Sequence, residues 1–160
     1  MDPTIQFQLV TDTVMGGRSS GTLTRETVQG REAWRMRGTV SLENNGGFIQ
    51  MAADVPEASG FTGVEFSAID SGVALGVRPG HESETYNIHL RTSDLTRPWQ
   101  SYRQSFIAGP EWETHRIQFA DFAPHRTDAP LDLSKLRRIG IIAIGREMEA
   151  DVSVAHVHFY

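Results

Sequence analysis

Two short segments combine glycine pairs with polar side chains and are the first candidates for binding chemistry: DTVMGGRSSG at 12–21 and LENNGGF at 42–48. A carboxylate before a turn can accept hydrogen bonds from the backbone N–H groups that follow, and glycine permits positive φ or close backbone approach. Asp12 therefore either ties its own loop as an Asx-type turn, or belongs to a loop that lines a cleft and presents Met15 and Arg18 to a partner. A phosphate-binding loop is not expected, because such a loop ends in Lys-Ser/Thr and leads into a helix.

The second segment contains Asn45-Gly46-Gly47, which is a strong signal for a hairpin turn. The alternative is that Asn44 and Asn45 hydrogen-bond a ligand or the backbone of a partner, beside the first loop. Both loops would converge if they lay at the same edge of a sandwich, which the sequence alone does not decide.

Two predicted strands, 85–92 and 101–107, carry polar side chains opposite their apolar ones. The outward residues would be Asn87, His89 and Arg91 on the first strand, and Ser101, Arg103 and Ser105 on the second. Amide, imidazole and guanidinium groups in a row suit sugar hydroxyls, carboxylates or phosphates; the plainer alternative is a solvated sheet face. A sugar site also needs exposed aromatic rings, for which Trp99 and Tyr102 are the candidates, whereas Trp34 and Trp112 are expected in the core.

Catalysis and metal binding have little support in the sequence. There is no cysteine, which excludes disulfides and thiolate chemistry. His156 and His158 alternate on the last predicted strand, but a metal site needs a third ligand that the sequence does not supply. We recognise no matched set of nucleophile, base and orienting residue. We therefore expect a protein that is not an enzyme and has no metal and no cofactor.

Composition predicts an ordinary globular protein. The 160 residues suit one domain spanning 1–160, and a net charge of −5 argues against a nucleic-acid partner. No apolar run approaches the roughly 20 residues that span a bilayer, so no membrane insertion is expected. The N-terminus lacks the pattern of a secretion signal, and we expect a cytoplasmic protein.

Alternation with period two dominates the chain and predicts strands with one buried face. The segment 139–144 is apolar except for Gly140, which is typical of a central strand covered on both faces. The best helical candidate is Asp132–Arg138, and 122–130 is expected to be an irregular crossover between sheets. About ten short strands with one short helical turn predict an all-β, antiparallel sandwich or barrel.

Three segments together resemble the complex I intermediate-associated protein 30 family: DTVMGGRSSG, SLENNGGFIQM at 41–51 and EWETHRIQFADFAPHR at 111–126. The resemblance implies a galactose-binding-like jelly roll, a fold shared with carbohydrate-binding modules that use a concave face. It also implies that mitochondrial members act as chaperone-like assembly factors for NADH:ubiquinone oxidoreductase. Gln118 replaces the family's proline and His115 a small apolar residue, so the likeness is firmest at 12–19 and 44–48.

From the resemblance and the residues we expect a non-catalytic module that binds a protein partner, with a respiratory-complex assembly intermediate as the partner the family suggests. The sequence contains little more than the family's domain, so we expect a stand-alone bacterial member of the family. The alternative is a module that binds carbohydrate or another small molecule. The candidate partner- or ligand-binding residues are Asp12, Met15, Gly16, Gly17, Arg18, Ser19, Asn44, Asn45, Asn87, His89, Arg91 and Arg103.

Overall fold

The computed structural model describes residues 5–74 and 83–160, and within them the chain forms two antiparallel sheets that face each other. The six-stranded sheet contains, in spatial order, β1 (Gln8–Thr11), β4 (Phe48–Asp54), β10 (Leu136–Ile144), β6 (Glu84–Thr92), β7 (Ser101–Ala108) and β9 (Ala123–His125). The five-stranded sheet contains β2 (Ser20–Val28), β3 (Arg31–Val40), β11 (Met148–Phe159), β5 (Gly63–Asp70) and β8 (Glu113–Gln118). The predicted all-β antiparallel sandwich is confirmed.

One hydrophobic core fills the space between the sheets. Alternate side chains of each strand point inward, which is why the period-two pattern of the sequence is so regular. Residues with no exposed surface include Met36, Ile49, Met51, Phe66, Tyr86, Ile88, Leu90, Ile139, Ile141 and Val152. The residues between them along each strand are therefore left on the outer surfaces of the sandwich.

The segment 139–144 has the predicted central position. It belongs to β10, which pairs with β4 on one side and with β6 on the other. Ile139 and Ile141 lie in the core, and Ile142, whose register places it on the other side of the sheet, is also only 2% exposed. Burial on both sides explains why this strand lacks the polar alternation of its neighbours.

The helical segments are short. The predicted helix at 132–138 is a single 3-10 turn, Leu133–Lys135, capped by the Asp132 side chain, which accepts a hydrogen bond from Ser134 N at 3.0 Å. It ends early because the residues after Lys135 pair in β10. The only α-helical turn of the described residues is α1 (Ser71–Ala74), and further 3-10 turns span Asp12–Met15, Glu43–Asn45 and Phe119–Asp121. None of these segments is long and apolar enough to span a membrane.

Two connections differ from the sequence-based expectation. The stretch 122–130 contains β9, whose His125 and Ala123 pair with Ser101 and Arg103 of β7, so part of it extends the six-stranded sheet. The Asn45-Gly46-Gly47 segment is not a hairpin, because β3 and β4, which it joins, lie in different sheets. The first glycine-rich segment likewise joins β1 of one sheet to β2 of the other. Both glycine loops are therefore crossovers between the sheets.

Candidate functional site

The carboxylate of Asp12 joins the two glycine loops. Asp12 has no exposed surface. Its Oδ1 accepts a hydrogen bond from Ser19 N at 2.9 Å, and its Oδ2 accepts bonds from Ser19 Oγ at 2.5 Å, Gly47 N at 2.6 Å and Phe48 N at 3.2 Å. The two loops that the sequence left unconnected therefore meet at one buried carboxylate, and we call this pair the clamped loops.

The glycine pairs follow from this arrangement. Gly16 has φ 85 and Gly47 has φ 140, values that favour glycine. The other two glycines leave room for the carboxylate, because a Cβ on Gly17 or on Gly46 would lie 2.4 Å from an Asp12 side-chain atom. One glycine of each pair therefore serves backbone conformation and the other serves contact with Asp12.

Asp12 does not act as an Asx turn for its own loop. The backbone closes that turn, since Gly17 N donates to the Asp12 carbonyl at 2.9 Å and Gly16 N to the Thr13 carbonyl at 3.1 Å. Burial alone would raise the pKa of the Asp12 side chain, but hydrogen bonds from Ser19, Gly47 and Phe48 outweigh it and lower that pKa. The carboxylate is therefore held ionised inside the structure as a brace between the loops.

The serine of the first loop is also structural. Residues 17–21 read Gly-Arg-Ser-Ser-Gly and so match the letters of a G-x-S-x-G nucleophile elbow. However, Ser19 is 2% exposed, its hydroxyl donates to Asp12, and the same oxygen accepts a bond from Ser41 N at 2.8 Å. The segment leads into β2 and not into a helix. Its geometry is that of a buried link rather than of an exposed nucleophile.

The clamped loops also present apolar side chains to solvent. Val14 is 72% exposed and Leu42 is 46% exposed, and one lies on each loop. Arg18 and Asn44 are exposed beside them. Only the main chain of Met15 and Asn45 is described, so the predicted roles of those two side chains lie outside the described part of the structure. Sequence reasoning missed Val14 and Leu42, because single apolar residues in a loop carry no periodic signal.

The predicted row of polar residues lies on the side of the six-stranded sheet that faces away from the core. The register pairs His89 with Arg103 and with Gly140, and it pairs Asn87 with Ser105 and with Ile142. We call this surface the outer face; its strands carry Gln8, Gln50, Asp54, Asn87, His89, Arg91, Ser101, Arg103, Ser105, His125 and Arg138, with Phe48 at the end next to the clamped loops. The sequence did not place His125 and Arg138 here, because β9 was not predicted and Arg138 was assigned to a helix.

The centre of the outer face is buried and cationic, not a simple solvated surface. His89 is 9% exposed and Ser101 4%. Five buried side-chain atoms of the described residues have no hydrogen-bond partner, and three of them lie here: His89 Nε2, Ser101 Oγ and Arg103 Nε. The other two, His115 Nε2 and Ser153 Oγ, belong to the five-stranded sheet. Burial, followed by the positive charges of Arg103, His125 and Arg91, lowers the pKa of His89 to about 3.

Arg91 has a different role from the one that its position in the row predicts. Its Nη1 donates to the carbonyl oxygens of Arg97 at 3.1 Å, Pro98 at 3.3 Å and Gln100. Three carbonyl acceptors on one nitrogen hold the loop that precedes β7 against the sheet. Arg91 is therefore committed to its own chain, whereas Arg103 Nε has no hydrogen-bond partner among the described residues.

The two candidate aromatic platforms are divided between surface and core. Trp99 is 52% exposed, on the loop that Arg91 holds. Tyr102 is 1% exposed, and its hydroxyl donates to the Ala129 carbonyl at 2.8 Å, so its ring cannot stack on a sugar. Trp34 and Trp112, which were expected in the core, are half-buried at its edge, and each packs against a cluster of buried residues.

A cleft and a pair of histidines lie elsewhere in the described structure. A cleft of about 790 Å³ lies at the ends of β2, β3 and β11, and its lining includes Ser20 and Gly21, which directly follow the candidate Ser19. Three of its charged side chains take part in ion pairs: Arg146 pairs with Glu84, and Asp151 pairs with Arg35. A bulge interrupts the last strand between Ala155 and His158, and His158 Nδ1 lies 2.8 Å from the His156 carbonyl oxygen. Within residues 5–74 and 83–160 no three His, Asp or Glu side chains gather as a possible metal site.

Comparison with known proteins agrees with this architecture. The model of the family described as Complex I intermediate-associated protein 30 matches residues 2–154. No curated protein matches the sequence.

Several solved structures with the same fold are carbohydrate-binding modules. A family 11 module from Clostridium thermocellum, in complex with a β-1,3-1,4-mixed-linked tetrasaccharide, superposes with a TM-score of 0.72 at 10% identity, covering 99% of this chain and 89% of that one. A family 30 module from a cellulosomal cellulase of the same organism superposes with a TM-score of 0.66 at 12% identity, covering 99% and 93%. At such low identity these likenesses establish the fold alone.

Proposed function

The chain belongs to the complex I intermediate-associated protein 30 family, and we propose that it is a non-catalytic module that binds a protein partner through the clamped loops and the adjoining outer face. The observation that carries this proposal is the rigid display of Val14 and Leu42, exposed by 72% and 46%, on two loops braced by one buried carboxylate. Apolar side chains held rigidly in solvent lose little conformational entropy on binding, which favours a macromolecular contact.

The outer face adjoins the clamped loops, and its side chains change from apolar next to the loops to polar farther away. Phe48, which directly follows Gly47, is half-buried at one end of the face, and Ile144 is its partner in register. Beyond them lie the amides of Gln50 and Asn87 and then the basic groups. An apolar contact area bordered by polar and charged side chains is the usual composition of a protein interface.

The family description names an intermediate of complex I as the associated partner. We extend that partner to this chain as part of the proposal. Its support is the family match over residues 2–154 together with a surface of the right composition.

A photo-crosslinking experiment tests the proposal. A photoreactive amino acid replaces Val14 at the clamped loops, and in a matched chain it replaces Thr114, which is exposed on the five-stranded sheet. After irradiation in cells that produce the chain naturally, we expect a discrete protease-sensitive adduct from position 14 and none from position 114. Mass spectrometry then shows whether the captured polypeptide belongs to complex I. Equal adducts from both positions, or none from position 14, would refute the proposed surface.

Carbohydrate binding is the second candidate, favoured by the fold that the chain shares with modules such as the tetrasaccharide-bound family 11 structure. Among the described residues of the outer face, Phe48 is the only aromatic side chain on the strands and it is half-buried. This candidate therefore depends on Trp99 in the adjacent loop. A glycan array with the wild-type chain distinguishes the two: saturable binding to a neutral glycan that Trp99→Ala abolishes would favour the carbohydrate function.

A further inference from the structure

The centre of the outer face contains polar groups that the chain itself does not satisfy. His89 and Arg103 are direct neighbours across β6 and β7, and Ser101 lies two residues from Arg103 on the same face. Among the described residues, the buried atoms His89 Nε2, Arg103 Nε and Ser101 Oγ have no hydrogen-bond partner. Buried polar atoms are paired in the great majority of folded proteins, so three together point to a group supplied from outside.

The electrostatic surroundings indicate the sign of that group. At neutral pH the positive charges that act on His89 come from Arg103 and Arg91, and Arg126 acts on Arg103. Burial, followed by the charges of Arg103 and Arg126, lowers the pKa of His125, so its imidazole is mostly neutral at pH 7. Among the described residues, the only acidic one on the strands of this face is Asp54, which is exposed and faces Arg138 in register. The chain as a whole carries a net charge of −5, so this cluster has the opposite sign to the molecule. An anion bound here would relieve repulsion between neighbouring cations.

The opposite sheet shows what satisfies a guanidinium in an equivalent position. Arg35 lies in the middle of β3 on the outer side of the five-stranded sheet, and it is half-buried like Arg103. Its Nε and Nη2 each donate to one oxygen of the Asp151 carboxylate at 2.8 Å. That fork geometry is typical of arginine with a carboxylate. Within residues 5–74 and 83–160, Arg103 presents the same Nε without a hydrogen-bond partner.

We propose that His89, Ser101 and Arg103 form a carboxylate-binding pocket, filled by an aspartate or glutamate side chain of the protein partner. That the carboxylate belongs to a protein partner rests on the proposed function. That the ligand is a carboxylate rests only on the unpaired polar atoms and the cationic surroundings. Arg103 Nε takes one carboxylate oxygen, and the neighbouring polar atoms of His89 and Ser101 complete the contact. The pocket adds charge specificity to the apolar contact at the clamped loops.

An NMR titration of the full chain tests the pocket. The isotopically labelled protein is titrated separately with a short peptide of glutamates, a matched peptide of glutamines, an oligoglucuronate and inorganic phosphate. The Arg103 Nε–Hε signal and the His89 imidazole signals report binding at the site. The variants are Arg103→Gln, Arg103→Lys and, as a matched control for loss of one arginine, Arg116→Gln, whose side chain is exposed on the five-stranded sheet and paired with Glu65. Ser101→Ala is a second test of the pocket should the Arg103 variants fail to fold.

We expect the glutamate peptide to shift the Arg103 and His89 signals while the glutamine peptide does not. Binding should weaken about tenfold in Arg103→Gln and stay weak in Arg103→Lys, because neither side chain places a charged N–H donor at the Nε position. It should be unchanged in Arg116→Gln. Binding of the oligoglucuronate alone would uphold the carboxylate pocket but contradict the proposed protein partner. Equal binding of the glutamine peptide, binding of phosphate alone, or full binding by Arg103→Gln would overturn the pocket itself.

Discussion

Replacing Asp12 by asparagine tests the brace between the clamped loops. Asparagine has nearly the same shape but offers one acceptor oxygen in place of two. The least costly orientation places its oxygen at the Oδ2 position, where it keeps the bonds from Ser19 Oγ, Gly47 N and Phe48 N. Its NH₂ group then faces Ser19 N, which loses its acceptor while buried.

The expected loss of unfolding free energy is about 3 kcal/mol. A buried N–H without a partner costs about 1–3 kcal/mol, and three remaining bonds lose their charged acceptor, which is worth about 1 kcal/mol each. Part of this is offset because a carboxylate no longer has to be buried. For a chain of this size, about 3 kcal/mol corresponds to a decrease in Tm of roughly 6–12 °C.

Urea denaturation at pH 7 measures the loss, with Asp128→Asn, at an exposed position, as the control. The control should stay within about 0.5 kcal/mol of wild type. Because hydrogen bonds lower the pKa of Asp12 below its ordinary 3.8 in the folded state, the unfolded carboxylate takes up a proton first. The stabilisation is therefore complete above about pH 4 and is lost as the pH falls through the folded pKa, so the gap between wild type and variant should narrow in acid. A variant as stable as wild type at pH 7 would refute the brace.

Three further predictions concern the packing of the loops and the outer face. Gly17→Ala should lose about 2 kcal/mol or more in urea denaturation, because its Cβ would lie 2.4 Å from the Asp12 side chain; Gly109→Ala, whose Cβ meets nothing nearer than 3.8 Å, is the matched control. The pKa of His89 falls from 6.5 in the unfolded state to about 3 in the folded state, so the unfolded state binds the proton first as the pH falls. Between pH 8 and pH 5 the wild type should therefore lose about 2 kcal/mol more unfolding free energy than His89→Gln. Parallel curves of unfolding free energy against pH for the two proteins would contradict this. Trp99→Ala should change the unfolding free energy by less than about 1 kcal/mol and leave the crosslink from position 14 intact, because the ring is 52% exposed; loss of that crosslink would count against the proposed surface.

The strand pattern was readable from sequence because it is a local property. Apolar and polar residues alternate wherever one side of a strand faces a core, and Tyr86, Ile88 and Leu90 do lie in the core. The role of the glycine loops was not readable in the same way. Asn45-Gly46-Gly47 has the local chemistry of a hairpin, but whether a turn joins neighbours in one sheet or crosses to the other depends on where the following strand finds its partner.

The sequence by itself determined that this protein is a β-sandwich of one family and that its two glycine loops belong to a shared motif. Only the tertiary structure decided what those residues do, since the bond from Gly47 to Asp12 spans 35 positions of the chain. Tertiary structure also decides the different roles of Arg35 and Arg103. Arg35 and Arg103 both lie on the outer side of a strand, but Arg35 binds Asp151 from 116 positions away, whereas the positive charge of Arg126 acts on Arg103. Periodicity shows which side of a strand a residue occupies, and the pairing of distant strands decides which charges come together.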